Sequence, residues 1–345
     1  MDLFPNASSE VSSGCDRSKT PNQAPSSTNR NSSSQRCRTL AYNVVYQLRT
    51  LWLFIFSDLK TIIIPKTIFG CLNAVSAAAF AIEPYQPRVV IFKRTPFVLV
   101  WVLINLLPFA IDNQRQPSSM LEDRANKPWR PMPSGRLTTT QTRKVMWVLY
   151  VAAGYYSLHA GGIRQSLFLM LLGYWYNDLG GADVGWMSRN FINACGFVSY
   201  SMGAMEVALA TRLQFTPPLL SWALILAAIV FSTVHTQDMA DQVGDRLRHR
   251  VTLPLAIGDR RARYMTAFWM VFWVCVGPHY WQLSFLPWAT YAMLGLTIAM
   301  RTIALRCIKS DQLTFLLWNI WMVLSYALPF IHLLESSYFQ SSTRL

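Results

Sequence analysis

Apolar stretches long enough to cross a bilayer core of about 30 Å recur along the whole of this 345-residue chain. They run roughly over residues 58–80, 91–111, 140–159, 163–179, 189–210, 217–236, 262–281, 283–304 and 313–334. In hydrocarbon every backbone N–H and C=O must be satisfied within its own segment, so stretches of this length fold as helices. Gly, Pro or polar residues interrupt several of them, most of all 163–179 and 283–304, which leaves a count of eight open. Composition agrees with this class: the chain is 52% hydrophobic and 14% charged, where a soluble domain carries about a quarter charged residues. The expected fold is all-α, a polytopic membrane protein with about nine transmembrane helices.

A net charge of +14 could suit nucleic acid, but the placement of the charge argues against it. With the N-terminus on one side of nine spans, Lys and Arg on that side number six in 1–57, seven in 112–144, one in 177–189, six in 237–263 and three in 301–312. That puts 23 of 31 on one face, which the positive-inside rule assigns to the cytosol. An integral, multi-pass protein of the endoplasmic reticulum, with these loops facing the cytosol, is expected. Residues 1–40 hold ten Ser among Asn and Pro and no apolar run. They read as a disordered cytosolic tail, not a secretory signal peptide. Residues 41–337 should form the transmembrane catalytic domain, and 338–345 a C-terminal tail. The six Cys, at 15, 37, 71, 195, 275 and 307, lack CxxC spacing and local His partners, so neither zinc nor a disulfide framework is indicated.

Carboxylates are scarce, 17 in all, yet five fall in two short segments on the charged face: Glu122, Asp123, Asp238, Asp241 and Asp245. The spacing of Asp238, Asp241 and Asp245 sets three carboxylates on one stripe of a helix end. Unpaired they would repel, and a divalent cation removes that cost. Arg246, Arg248 and Arg250 follow at once. In the other segment Asn113, Glu122, Asp123 and Asn126 are oxygen donors, and Lys127 and Arg130 are placed to hold phosphate oxygens. Hard oxygen ligands beside fixed cations are what a Mg-bound diphosphate requires. The bland alternatives are a solvated acidic loop and a Pro-rich connection with incidental charge. A third loop carries Asn177, Asp178 and Asp183 as ligands, supporting partners or turn residues. Tyr200 and Glu206 lie inside a span and need partners, either functional or across the bundle. Trp175, Trp186, Trp222, Trp269, Trp273, Trp318 and Trp321 are packing anchors or lining for a carbocation cavity.

Asn126-Lys127-Pro128-Trp129-Arg130-Pro131-Met132-Pro133-Ser134-Gly135-Arg136, with Asp238-xx-Asp241-xx-Gly244-Asp245 and then Thr252-Leu253-Pro254, resembles the UbiA superfamily of intramembrane prenyltransferases. The resemblance spans about residues 45–335. It implies a nine-helix bundle of two quasi-repeated four-helix halves, with aspartate loops that bind Mg2+ and diphosphate over a cavity open to lipid. The first motif departs from the family pattern. Aligned without gaps on Asn126, Asp123 keeps the last aspartate, but the two earlier ones fall on Ser119 and Gln116 and the leading Asn on Arg115. Gln237 stands where the family has Lys. Together with Tyr176-Asn177-Asp178-Leu179 and Arg189-Asn190, this variant resembles the fungal UbiA-type membrane terpene cyclases of the fumagillin-pathway kind.

The resemblance implies a class I terpene cyclase of secondary metabolism. It would ionise farnesyl diphosphate, or as second choice geranylgeranyl diphosphate, and cyclise the cation to a terpene hydrocarbon. Asp238, Asp241, Asp245, Asn113, Glu122, Asp123 and Asn126 would hold Mg2+, and Lys127, Arg130, Arg246 and Arg250 would neutralise the diphosphate. The rival reading is a prenyltransferase acting on an aromatic or polyketide acceptor. A transporter is disfavoured, because transport sites lie near the midplane. The expected partners are the prenyl diphosphate and the lipid bilayer, not nucleic acid.

Overall fold

The computed structural model describes residues 29–83 and 85–342, with side chains over 40–83 and 85–338. Most of the tail expected to be disordered therefore lies outside the described residues. Within that tail a helix, α1 (Asn29–Ile55), already begins. The described residues fall into two units, 29–47 and Leu48 onward, and the site lies in the second.

Among the described residues regular structure is helical throughout. In chain order α2 (Ile64–Val75), α3 (Arg88–Lys93), α4 (Thr95–Arg115) and α5 (Pro117–Asn126) are followed by α6 (Thr139–Ala160), α7 (Ile163–Asn177), α8 (Trp186–Leu209) and α9 (Pro217–Thr233). Then come α10 (Asp238–Leu247), α11 (Leu253–Ile257), α12 (Asp259–Tyr280), α13 (Phe285–Ala304) and α14 (Ile308–Ser342). Each apolar stretch read from the sequence coincides with a helix or, for 58–80, with a broken series. There a 3-10 turn (Phe56–Asp58), a π turn (Leu59–Ile63), α2 and a second 3-10 turn (Ala77–Phe80) succeed one another. Three helical segments among the described residues are long and apolar enough to cross a membrane by length and composition: Thr95–Arg115, Pro217–Thr236 and Ile308–Tyr338. The others are shorter, such as α7, or are diluted by inward polar groups, such as Asn190 and Glu206 of α8.

Helix starts follow local chemistry. Pro65, Pro96, Pro117, Pro217 and Pro254 all stand in a first turn, where the missing N–H would have had no partner. Thr138 and Gln141 close a capping box on α6. Side chains sort by a membrane rule. On α6, Trp147, Val148, Val151, Tyr155 and Leu158 form an exposed apolar stripe, as do Phe268, Val271 and Phe272 on α12. Such faces suit acyl chains, and polar residues turn inward instead.

α8 lies at the centre, packed on α2, α4, α7 and α9, and every residue from Ser199 to Leu209 is buried. The α2–α8 crossing is close: a Cβ on Gly70 would sit 2.7 Å from the Ala204 backbone carbonyl carbon. Small residues that allow backbones to touch are the usual means of helix association in lipid. Lys66 is buried in this crossing, donating to Tyr326 Oη at 2.6 Å and Ser201 Oγ at 3.1 Å. Glu206 is fully occupied by Gly162 N–H (2.9 Å), Arg164 (2.7 Å), Gln165 (3.2 Å) and Leu213 N–H (3.1 Å). Its role is to tie α7 to α8, the structural one of the two roles left open.

Candidate active site

One cavity opens between α4, α5, α7, α8 and α10, and its two ends differ in chemistry. Asp58, Asn113, Glu122, Lys127, Arg130, Arg189, Gln237, Asp241, Asp245 and Arg250 line the charged end. Leu106, Phe109, Leu169, Leu172, Ile192, Phe197 and Tyr200 line the apolar end. α5 and α10, which carry the two acidic motifs, pack directly on each other. Gly244 permits this, because a Cβ there would collide with the Asn126 amide. Asn126 donates to the Asp241 carbonyl at 3.3 Å, and Lys127 Nζ lies 3.7 Å from its carboxylate.

Behind this face each buried carboxylate meets a guanidinium. Arg130 holds both oxygens of Asp123 (2.8 and 3.1 Å), and Arg189 lies 2.9 Å from the Asp238 carboxylate. Arg250 reaches Asp245 (3.2 Å), Glu122 (3.4 Å) and Asp183 (3.2 Å). Arg248 donates to Ser119 Oγ (2.5 Å), Glu122 (3.2 Å) and Asp183 (3.0 Å). Ser119, where the family has an aspartate, is thus a hydroxyl acceptor for this guanidinium. Asn177 and Asp178 belong to a separate knot: Asn177 donates to Asp112 (3.2 Å), and Arg115 bridges Asp112 (2.6 Å) to Asp178 (2.7 Å).

The charges respond to this packing. Burial pushes the Asp238 carboxyl up to about 7 despite Arg189 beside it. Burial also raises Asp245 against the pull of Arg189 and Arg250. At Glu122 burial is outweighed by Arg250 and Arg248, which together hold it below the ordinary carboxylate range.

Of the residues singled out from sequence, Asn113, Glu122, Lys127, Arg130, Asp241, Asp245 and Arg250 line the cavity. Asp123, Asn126 and Asp238 stand behind that lining as partners. Arg246 is exposed, and Arg248 takes the inward position instead. The cause is local: Arg248, still in helical conformation at the end of α10, continues the stripe of Asp238, Asp241 and Asp245, whereas Arg246 falls on the opposite face. His249 at φ +59° then reverses the chain ahead of Arg250. Arg189 and Asp58 also reach the cavity without having been assigned a role in it. Arg189 gave a faint signal as an Arg in an apolar segment. Asp58 gave none beyond its place at the start of one.

Oxygen donors dominate the α10 side, and Asp245 Oδ2 is buried without a hydrogen-bond partner, which suits a hard divalent cation. As the side chains stand, no three His, Cys, Asp or Glu among the described residues converge closely enough to hold one. Arginines occupy Asp123, Asp238 and one oxygen of Asp245, which leaves the Asp241 carboxylate and Asp245 Oδ2 as the α10 donors for an ion.

Residues 110–323 match the model of the UbiA prenyltransferase family. The chain is 28% identical to a somaliensene A/B synthase of Streptomyces somaliensis over 84% of its own length and 95% of the relative's. It is 25% identical to the fumagillin beta-trans-bergamotene synthase of Aspergillus fumigatus, over 82% and 92%. The fold matches a UbiA homologue from Archaeoglobus fulgidus bound to DMAPP and Mg2+, with a TM-score of 0.52, 10% identity, and coverage of 79% of this chain and 99% of that one.

Proposed function

Because the chain belongs to the UbiA prenyltransferase family, we propose that it is a membrane-embedded, Mg2+-dependent terpene cyclase. Farnesyl diphosphate is the proposed substrate and geranylgeranyl diphosphate the second choice. The observation that carries this reading is a cavity with a cationic, carboxylate-rich end and an apolar, aromatic end. Synthase relatives that align over more than nine-tenths of their own length support cyclisation over transfer. So does the first motif, with Gln116 and Ser119 in place of two aspartates.

Asp241 and Asp245, with Asn113 and Glu122 opposite and Asp238, Asp123 and Asn126 behind, would hold Mg2+, which supplies Lewis-acid neutralisation of the diphosphate when bound. Lys127, Arg130 and Arg250 would bind the diphosphate oxygens and stabilise the charge that develops as the allylic C–O bond breaks and its electron pair leaves with diphosphate. Phe109, Tyr176, Phe197 and Tyr200 would turn π surfaces to the prenyl cation. A distal double bond then attacks the cation, and loss of a proton gives the cyclic alkene. Leu106, Leu169, Leu172 and Ile192 would keep water, which quenches the cation, away from it.

Nine spans with the charged loops in the cytosol, in the endoplasmic reticulum membrane, complete the proposal. Membranes containing the protein should be given Mg2+ and each diphosphate, with and without an aromatic acceptor, and the organic products identified by mass spectrometry. A cyclic hydrocarbon formed without acceptor supports cyclisation. A prenylated adduct that needs the acceptor, with no cyclic product, would establish the transferase reading instead.

A further inference from the structure

A second pocket lies at the far end of α7, whose last turn reaches the catalytic cavity through Tyr176. The end of α6 (Ser157–Gly161), the first turn of α7 (Ile163, Arg164), the end of α8 and Arg94 form its wall. Arg94, Arg164 and Arg212 bring three guanidiniums into it from three separate segments. Glu206 is the carboxylate in this wall, and its two oxygens already accept from Gly162, Arg164, Gln165 and Leu213. Arg94 spends Nε and Nη2 on the neutral carbonyls of Val207 (2.6 Å) and Ala160 (3.2 Å). These bonds fix its position without compensating its charge. Arg212 is exposed and makes no side-chain hydrogen bond or ion pair among the described residues. Ser157 is fully buried in the wall, and its hydroxyl has no hydrogen-bond partner. The pocket thus has an excess of positive charge and an idle hydroxyl.

Two of these arginines also carry exposed aromatic neighbours. Arg94 stacks over the Phe97 ring at 5.6 Å and Arg164 over the Phe215 ring at 5.0 Å. Both rings are exposed, as is Leu158 of the pocket wall. A free phosphate has no use for such apolar neighbours, whereas a lipid has both a charged head and acyl chains to place. The pocket lies on the membrane face opposite the active-site loops, and its guanidiniums match the oxygens of a phosphate headgroup in charge and geometry.

We propose that this pocket binds the phosphodiester headgroup of an anionic phospholipid, with its acyl chains running along Phe97, Leu158 and Phe215. The site is separate from the catalytic cavity and holds whatever reaction occurs there.

The test uses the full-length protein purified in detergent, titrated with dihexanoyl-phosphatidylglycerol, with dihexanoyl-phosphatidylcholine, and with inorganic phosphate. Saturable phosphatidylglycerol binding is expected, at least about tenfold tighter than phosphatidylcholine, with no competition from millimolar phosphate. Arg212→Glu should weaken it about tenfold, since each basic side chain near an anionic headgroup is worth roughly fivefold. Arg212→Gln should weaken it by less. Thermal melting of both variants controls for folding, because the Arg212 side chain supports no described contact. Equal binding of the two lipids, unchanged affinity in both Arg212 variants, or displacement by inorganic phosphate would each overturn the proposal.

Discussion

At the scale of single residues, the site is built from carboxylates that would be too costly to bury alone and arginines that make them tolerable. Asp238, Asp241 and Asp245 are expected to fail individually: each Ala variant should insert normally but lose at least about a hundredfold in diphosphate release, as removal of a metal ligand or its support weakens the site. The two arginines at the end of α10 separate sharply. Arg248→Ala leaves Glu122 and Asp183 to Arg250 alone and should cost roughly 1–3 kcal/mol of stability, seen as a lower melting temperature in detergent. Arg246→Ala removes an exposed side chain and should leave both melting and turnover within about twofold. The raised Asp238 carboxyl adds a pH dependence. Below about 7 it holds a proton that Mg2+ must displace, so the Mg2+ needed for half-maximal turnover should rise as pH falls from 8 to 6. A pH-independent Mg2+ requirement would contradict this. Sequence made these acidic positions legible because carboxylates are rare in an apolar chain. Arg248 rather than Arg246 points inward because it continues the helical stripe of Asp238, Asp241 and Asp245, whereas the inward turn of Arg250 follows the left-handed His249, a residue without a turn signature.

At the scale of elements, hydropathy was an adequate guide to where helices lie, because lipid-facing residues and buried residues are both apolar. It was a poor guide to how the first segment breaks. The π turn at Leu59–Ile63 just ahead of Pro65 leaves Asp58, Thr61 and Ile62 lining the cavity. Such turns recur at functional sites, but nothing in the local composition marks one. α11 is likewise a short helix inside a segment that reads as a charged loop, whereas the spacing of Asp238, Asp241 and Asp245 marked the helical character of α10. Close packing at α2–α8 gives an element-scale prediction. Gly70→Ala presses a methyl group against the Ala204 backbone, which cannot swing aside as a side chain would. It should destabilise the bundle by about 1–3 kcal/mol, measured by thermal unfolding, without changing the charged end of the cavity. Unaltered stability would mean that the two helices have freedom to separate.

At the scale of the whole molecule, the charge bias along the chain, the exposed apolar stripes and the inward polar groups all require a bilayer as solvent. The proposed orientation can be read on the tail. Asn6-Ala7-Ser8 and Asn31-Ser32-Ser33 are glycosylation sequons, and both should remain unmodified in a eukaryotic host if the tail and the active-site loops face the cytosol. A glycosidase-sensitive mass shift at either Asn would invert the topology. The central claim is that one cavity both ionises the diphosphate and contains the cation until it closes on itself. Its most direct test is the stoichiometry of diphosphate to cyclic hydrocarbon, measured together with farnesyl diphosphate, Mg2+ and no acceptor. The account predicts near one-to-one release in the native protein and loss of both products together in Asp245→Asn. Diphosphate released without any cyclic hydrocarbon, from farnesyl or geranylgeranyl diphosphate, would contradict it.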